Sequence, residues 1–163
     1  MIPTLSRTLV IVLSLAAACG ASAQEELLDN PQLAAARQLL RDSRESIIRE
    51  ELRLTTDEEA KFWPLYELYR ADIQPLGDQY VALIIDYMRH YEAADLTNEF
   101  AEKAINRYFD IRQELLRVRR SYVSRFAAIL PMLKVARFYQ LETKMTADVD
   151  AELALLVPLI ESE

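Results

Sequence analysis

The sequence predicts an all-α protein, and three observations carry that prediction. Apolar residues recur at three- and four-residue steps through most of residues 31–156. No segment shows the two-residue alternation of a half-buried strand. Glycine is nearly absent, with Gly77 alone beyond residue 20, so the chain has few tight turns and no loop able to cradle a phosphate.

The elements follow in order. Asn30 then Pro31 reads as an N-cap followed by a first helical residue that needs no amide donor. Leu33, Ala36, Leu40 and Ile47 make 31–52 an amphipathic first helix. A second begins at Thr56, with Glu59 three residues on as its capping-box partner. Phe62, Tyr66, Tyr69, Ile73, Leu76, Tyr80, Leu83 and Tyr87 then form a sustained heptad stripe. Pro64 and Pro75 interrupt it, removing amide bonds to the carbonyls of Ala60 and Ala71 at about 3 kcal/mol each in a helix interior. Either one long helix bends and shapes a concave surface, or the helix breaks and leaves a short turn over 57–62. Trp63, one step off the stripe, is expected against helix 1 or helix 4. Thr97 caps a third helix with Glu99 in its first turn, and its stripe is Ala104, Tyr108, Ile111, Leu115, Val118, Tyr122, Phe126 and Ile129. Pro131 ends that helix and starts a fourth, carried by Val135, Phe138, Leu141, Met145, Val149 and Leu156.

Helices 2 and 3, of about 35 and 32 residues, would each run roughly 50 Å. A compact domain of this size has a radius of gyration near ~14 Å. The expectation is therefore an elongated four-helix hooked hairpin with long bent helices. Such a thin shape leaves apolar surface uncovered, which suits an antiparallel homodimer or a bound partner.

The amino terminus has the pattern of a cleavable secretory signal over residues 1–23: Arg7, the apolar run "LVIVLSLAAACG", and cleavage after Ala23. That run is too short for a bilayer, which needs roughly 20 residues. Cys19 opens an alternative, a lipoprotein modified at that residue. No later segment reads as membrane-spanning. Residues 24–163 are expected to form one domain, with no cysteine and with His90 as the single histidine. Disulfides, thiolate zinc sites and cysteine nucleophiles are thereby excluded from it. The net charge of −7 argues against a nucleic-acid partner. Charge is unevenly spread: 103–144 carries 10 bases against only Asp110, Glu114 and Glu142.

Those bases mark a candidate binding face. One residue round from the helix 3 core stripe lie Ile105, Phe109, Arg112, Leu116, Arg119 and Val123, flanked by Arg117 and Arg120. Lys134, Arg137 and Lys144 extend the positive charge into helix 4. Arginine joins a planar cation to an apolar stem, so such a face can hold apolar and acidic segments without a fixed pocket. The alternative is a solvated face whose arginines pair with Glu45, Glu50 or Glu51. Asp86 and His90, four residues apart, are weak metal candidates, since they make an incomplete ligand set and an ordinary i,i+4 pair explains them equally well. Ser43, Ser46, Ser121 and Ser124 all fall in helices with no base tied to them, so neither catalysis nor a cofactor is expected.

The stretch "LRLTTDEEAKFWPLY" resembles the LTxxQ family of periplasmic Spy- and CpxP-like proteins. Leu54, Thr55 and Glu58 occupy its motif, with glutamate in place of the usual glutamine. The order of signal, short helix, long bent helix, long helix and shorter helix is similar too. The second motif that the family often carries is reduced here to Leu130, in "LPMLK". The resemblance implies a dimeric, ATP-independent periplasmic chaperone for unfolded or aggregation-prone clients. Two alternatives are a regulatory partner of an envelope-stress sensor kinase and a metal-responsive envelope protein. The motif itself has a structural explanation: the threonine hydroxyl caps the helix, Glu58 reaches back to the chain, and Leu54 staples the turn.

Overall fold

The computed structural model describes residues 31–160, with side chains from Gln38 onward. The expected leader, Cys19 and the Asn30 cap lie outside the described residues. Four helices follow in order: α1 Pro31–Leu52, α2 Thr56–Glu92, α3 Asn98–Ala127 and α4 Met132–Leu156. The described residues include no strand, as the periodicity predicts.

Caps fix three of these boundaries. Thr55, rather than Thr56, is the α2 N-cap: its hydroxyl accepts from the Glu58 amide, and the Glu58 carboxylate accepts from the Thr55 amide at 2.8 Å. The capping box expected on Thr56 and Glu59 is thus shifted back by one residue. Thr97 caps α3 by accepting from the Phe100 amide at 3.1 Å. Arg53 ends α1 with a φ of 49°, the left-handed turn that terminates many helices. The carbonyls left open there are met by cations from α4. Lys134 Nζ donates to the Arg53 carbonyl at 3.0 Å, and Arg137 Nε donates to the Glu51 carbonyl at 2.6 Å.

Helix α2 runs unbroken through Pro64 and Pro75, so the expected alternative of a short turn over 57–62 does not form. Ala60, Pro64, Ala71 and Pro75 are all exposed. Each carbonyl that loses its amide partner therefore faces water, which lowers the cost of proline below that of a buried site.

Packing follows the stripes. Helices α2 and α3 form an antiparallel hairpin, with ring contacts from Phe62–Phe126 at 5.6 Å through Tyr69–Tyr122 at 5.3 Å to Tyr80–Tyr108 at 6.0 Å. Helix α4 returns along the hairpin, parallel to α2. Phe138 meets Phe62 at 5.5 Å, and the Tyr87 hydroxyl donates to the Pro158 carbonyl at 2.7 Å. The described side chains of helix α1 pack on this three-helix body from Arg41, which donates to Gln74, to Leu52 in the core. The helix runs antiparallel to α4 through Arg44–Glu142 and Arg137–Glu51. Arg49 also stacks 3.8 Å above the Trp63 ring, so Trp63 packs on helix 1, one of its two expected neighbours.

The main cluster of buried side chains lies near the turn from α1 to α2. Phe62, Tyr66, Tyr69, Phe126 and Phe138 are fully buried, joined by Ile48 and Leu52 from α1. The rings of Tyr69, Tyr122, Phe126 and Phe138 meet in pairs at 4.7–5.9 Å, each pair adding about 0.5–1.5 kcal/mol beyond its area. Among the described residues one charged group is buried: Glu142 is 1 % exposed. It accepts from Arg44 at 3.3 Å and from the Tyr69 hydroxyl at 3.2 Å, tying α1, α2 and α4 together.

Candidate protein-binding surface

The second stripe of α3 divides into two sets. Arg112 and Arg119 turn toward α4: Arg112 pairs with Asp150 at 3.1 Å, and Arg119 donates to the Thr146 hydroxyl at 2.9 Å. Arg112 also lies 4.6 Å from the Tyr80 ring and 5.2 Å from the Tyr108 ring. Although burial works against its charge, Asp150 keeps the guanidinium firmly protonated. These two arginines are a seam between helices rather than a free cationic face. Val123 is half-buried beside them.

The remaining set faces solvent. Ile105, Phe109 and Leu116 are 57 %, 62 % and 67 % exposed. Arg120 is exposed beside them, and Arg117 is exposed while paired with Glu114 one turn back. This leaves an apolar strip with a lighter basic border than the sequence predicts. The expected pairing with helix 1 acids also takes a different form. Glu51 binds Arg137 at 2.7 Å, while Arg112, Arg117 and Arg119 find partners on α3 and α4. The pattern that could have revealed the seam is on α4, where Thr146 and Asp150 stand one turn apart and match Arg119 and Arg112 on an antiparallel neighbour.

Ile105 and Phe109 also border an apolar groove of about 650 Å³ between α2, α3 and the end of α4. Tyr80, Phe100, Tyr108 and Leu153 line it, and the exposed Leu159 and Ile160 stand at its edge. None of its lining residues is charged. Periodicity missed this groove because it assigned Tyr80, Leu83 and Tyr108 to the core. They are only half-buried here.

Asp86 and His90 do not pair with each other. Asp86 binds Arg89, while His90 Nδ1 lies 2.7 Å from Asp95 and its ring rests 4.2 Å from Phe100. Among the described residues no group of three potential ligands gathers around them. The motif residues sit at the opposite end from the groove. Leu54 packs against the core, Thr55 and Glu58 form the capping box, and Lys134 closes an ion pair onto Glu58. Together they lock the α1–α2 turn onto the start of α4.

Among the described residues, no helix is long and apolar enough to cross a membrane. No protein-family model, curated protein or solved structure matches this chain.

Proposed function

We propose that this protein is an exported, ATP-independent chaperone that shields unfolded or aggregation-prone proteins in the periplasm, as the LTxxQ resemblance implies. One observation carries the reading: Ile105, Phe109 and Leu116 form an exposed apolar strip on a long helix, with Arg117 and Arg120 beside it. Contiguous apolar surface of this kind marks a protein-interaction site. An apolar strip suits clients of varied sequence, since apolar contact is non-directional. The reading includes a homodimer, which would cover part of this surface and leave the remainder for clients.

The test is aggregation suppression of two unrelated unfolding proteins at low and high salt, with the oligomeric state recorded in parallel. Protection of both at near-stoichiometric ratios, modestly weakened by salt, is the expected outcome. Protection of neither, together with stoichiometric capture of one acidic sensor domain, would replace the chaperone by the regulatory partner.

A further inference from the structure

We propose that the exposed strip of α3 takes its client as an amphipathic helix laid antiparallel to α3. The inference rests on reading that strip as the client surface, and it names the conformation and the end charges the strip selects. Ile105, Phe109 and Leu116 follow one another at steps of four and seven residues, each more than half exposed. At 3.6 residues per turn, Glu102 and Arg120 share their face, with all five inside an arc of about 60°. Both of these charged side chains are exposed, and neither has an ion-pair or hydrogen-bond partner among the described residues. Between Phe109 and Leu116, Arg112 is drawn across to Asp150 at 3.1 Å, so no free charge interrupts the apolar line.

A helix face suits a helical partner better than an extended one. The backbone of α3 is hydrogen-bonded within its own helix and offers no edge onto which a strand could pair. An extended client would press unpaired amides and carbonyls against Phe109 and Leu116, whereas a helix satisfies its own. The four- and seven-residue steps also match the rows that a second helix presents along one face.

The two end charges set the direction. From Glu102 to Arg120, α3 runs roughly 27 Å, the length of about 18 helical residues. The helix dipole favours acids in the first turn of a helix and bases in the last. Laid antiparallel, such a helix brings its acids to Arg120 and its bases to Glu102. Laid parallel, it would set like charges together at both ends. Because these end charges are ordinary among amphipathic helices, the strip selects an arrangement rather than a sequence.

The probe is a fluorescent peptide of about 18 residues, with leucines at three- and four-residue steps, glutamates in its first turn and lysines in its last. A twin exchanges the two sets of charges. Anisotropy titration with the purified protein gives both affinities, and Cα shifts of the 13C-labelled peptide report its bound conformation. Saturable binding with helical shifts is expected. The protein variant Glu102→Lys with Arg120→Glu changes only exposed side chains. It should weaken the first peptide and strengthen the twin, each by about fivefold. Comparing two proteins against one peptide cancels any difference in the peptides' own helicity. Extended shifts, unchanged affinities in the swapped protein, or saturable binding of neither peptide would each overturn the proposal. So would a strip-dependent dimer that excludes both peptides, which assigns the strip to a second copy of this chain. Helical, charge-ordered binding without aggregation suppression would remove the chaperone reading alone. Suppression that depends on Ile105, Phe109 and Leu116, with the peptide bound extended, would remove only this inference.

Discussion

The two ends of this bundle are built from similar residues and arrive at different results. Near the α1–α2 turn, Phe62, Tyr66, Tyr69, Phe126 and Phe138 are closed off by Ile48 and Leu52. At the hairpin tip, Tyr80, Leu83, Tyr87 and Tyr108 continue the same stripes but stay half-buried around an open groove. Ile48 and Leu52 of α1 close the first cluster, while toward the tip only Ile84, Ile111 and Leu153 among the described residues are buried, among half-buried neighbours. Stability and binding are therefore expected to separate along the length of the molecule, with the tip drawn from its less protected part.

The largest test of this separation is Phe138→Ala. It removes the ring that meets Phe62, Tyr66, Tyr69 and Phe126, and should cost about 3–5 kcal/mol in chemical denaturation. Leu155→Ala, on an exposed residue near the tip, should stay within about 0.5 kcal/mol. Comparable losses at the two sites would erase the distinction.

Arg44→Ala comes next. It strands the Glu142 carboxylate with only the Tyr69 hydroxyl, and breaking one side of a buried pair costs about 3–5 kcal/mol. Double replacement by apolar residues, Arg44→Leu with Glu142→Leu, should recover much of that loss. No recovery would mean that the pair contributes through something other than mutual neutralisation.

Alkaline titration probes the core directly. Burial, then the Glu142 charge, raises Tyr66 and Tyr69 well above the ordinary phenol value and pushes Tyr139 up to about 12. The fold thus favours the un-ionised phenol. Its contribution is intact below the unfolded value near 10 and is lost as pH rises from there toward 12. Tyrosinate absorbance and helicity followed together should show the core phenols ionising only as the helices melt. Ionisation of all eight tyrosines near pH 10 with helicity retained would contradict this.

The smallest effect belongs to the motif. Thr55→Ala should cost about 1 kcal/mol through the lost cap and leave client protection unchanged. The Lys134 ammonium, with the Thr55 amide, holds Glu58 below the ordinary carboxylate range. A depressed carboxylate stabilises above its unfolded value and loses that contribution as pH falls through its folded one. Lys134→Met should therefore flatten the acid limb of the stability curve. An acid limb unchanged in that variant would remove Lys134 from the account.

Much of the architecture was legible because local rules and tertiary packing agree. Pro31, Thr97 and Pro131 mark helix boundaries through backbone chemistry that needs no partner. The stripe Phe62, Tyr66, Tyr69, Ile73 is buried as read. The next fully buried residue is Ile84, three full turns on, rather than Leu83. A straight helix drifts from a strict heptad by about 20° per repeat, so the buried line shifts by one residue along α2. Composition shows Glu142 only as one acid among bases, because its partners Arg44 and Tyr69 lie 98 and 73 residues away in sequence. Arg112 and Arg119 were misplaced for a related reason. Periodicity shows which side of α3 faces α2, but not where α4 returns.

The central claim is that the exposed strip of α3 binds proteins while the core near the α1–α2 turn holds the fold. Its most direct test replaces Ile105, Phe109 and Leu116 together by serine, and measures melting and aggregation suppression on the same preparation. The melting temperature should stay unchanged while protection of both clients is lost. Full protection by the folded triple variant would contradict it.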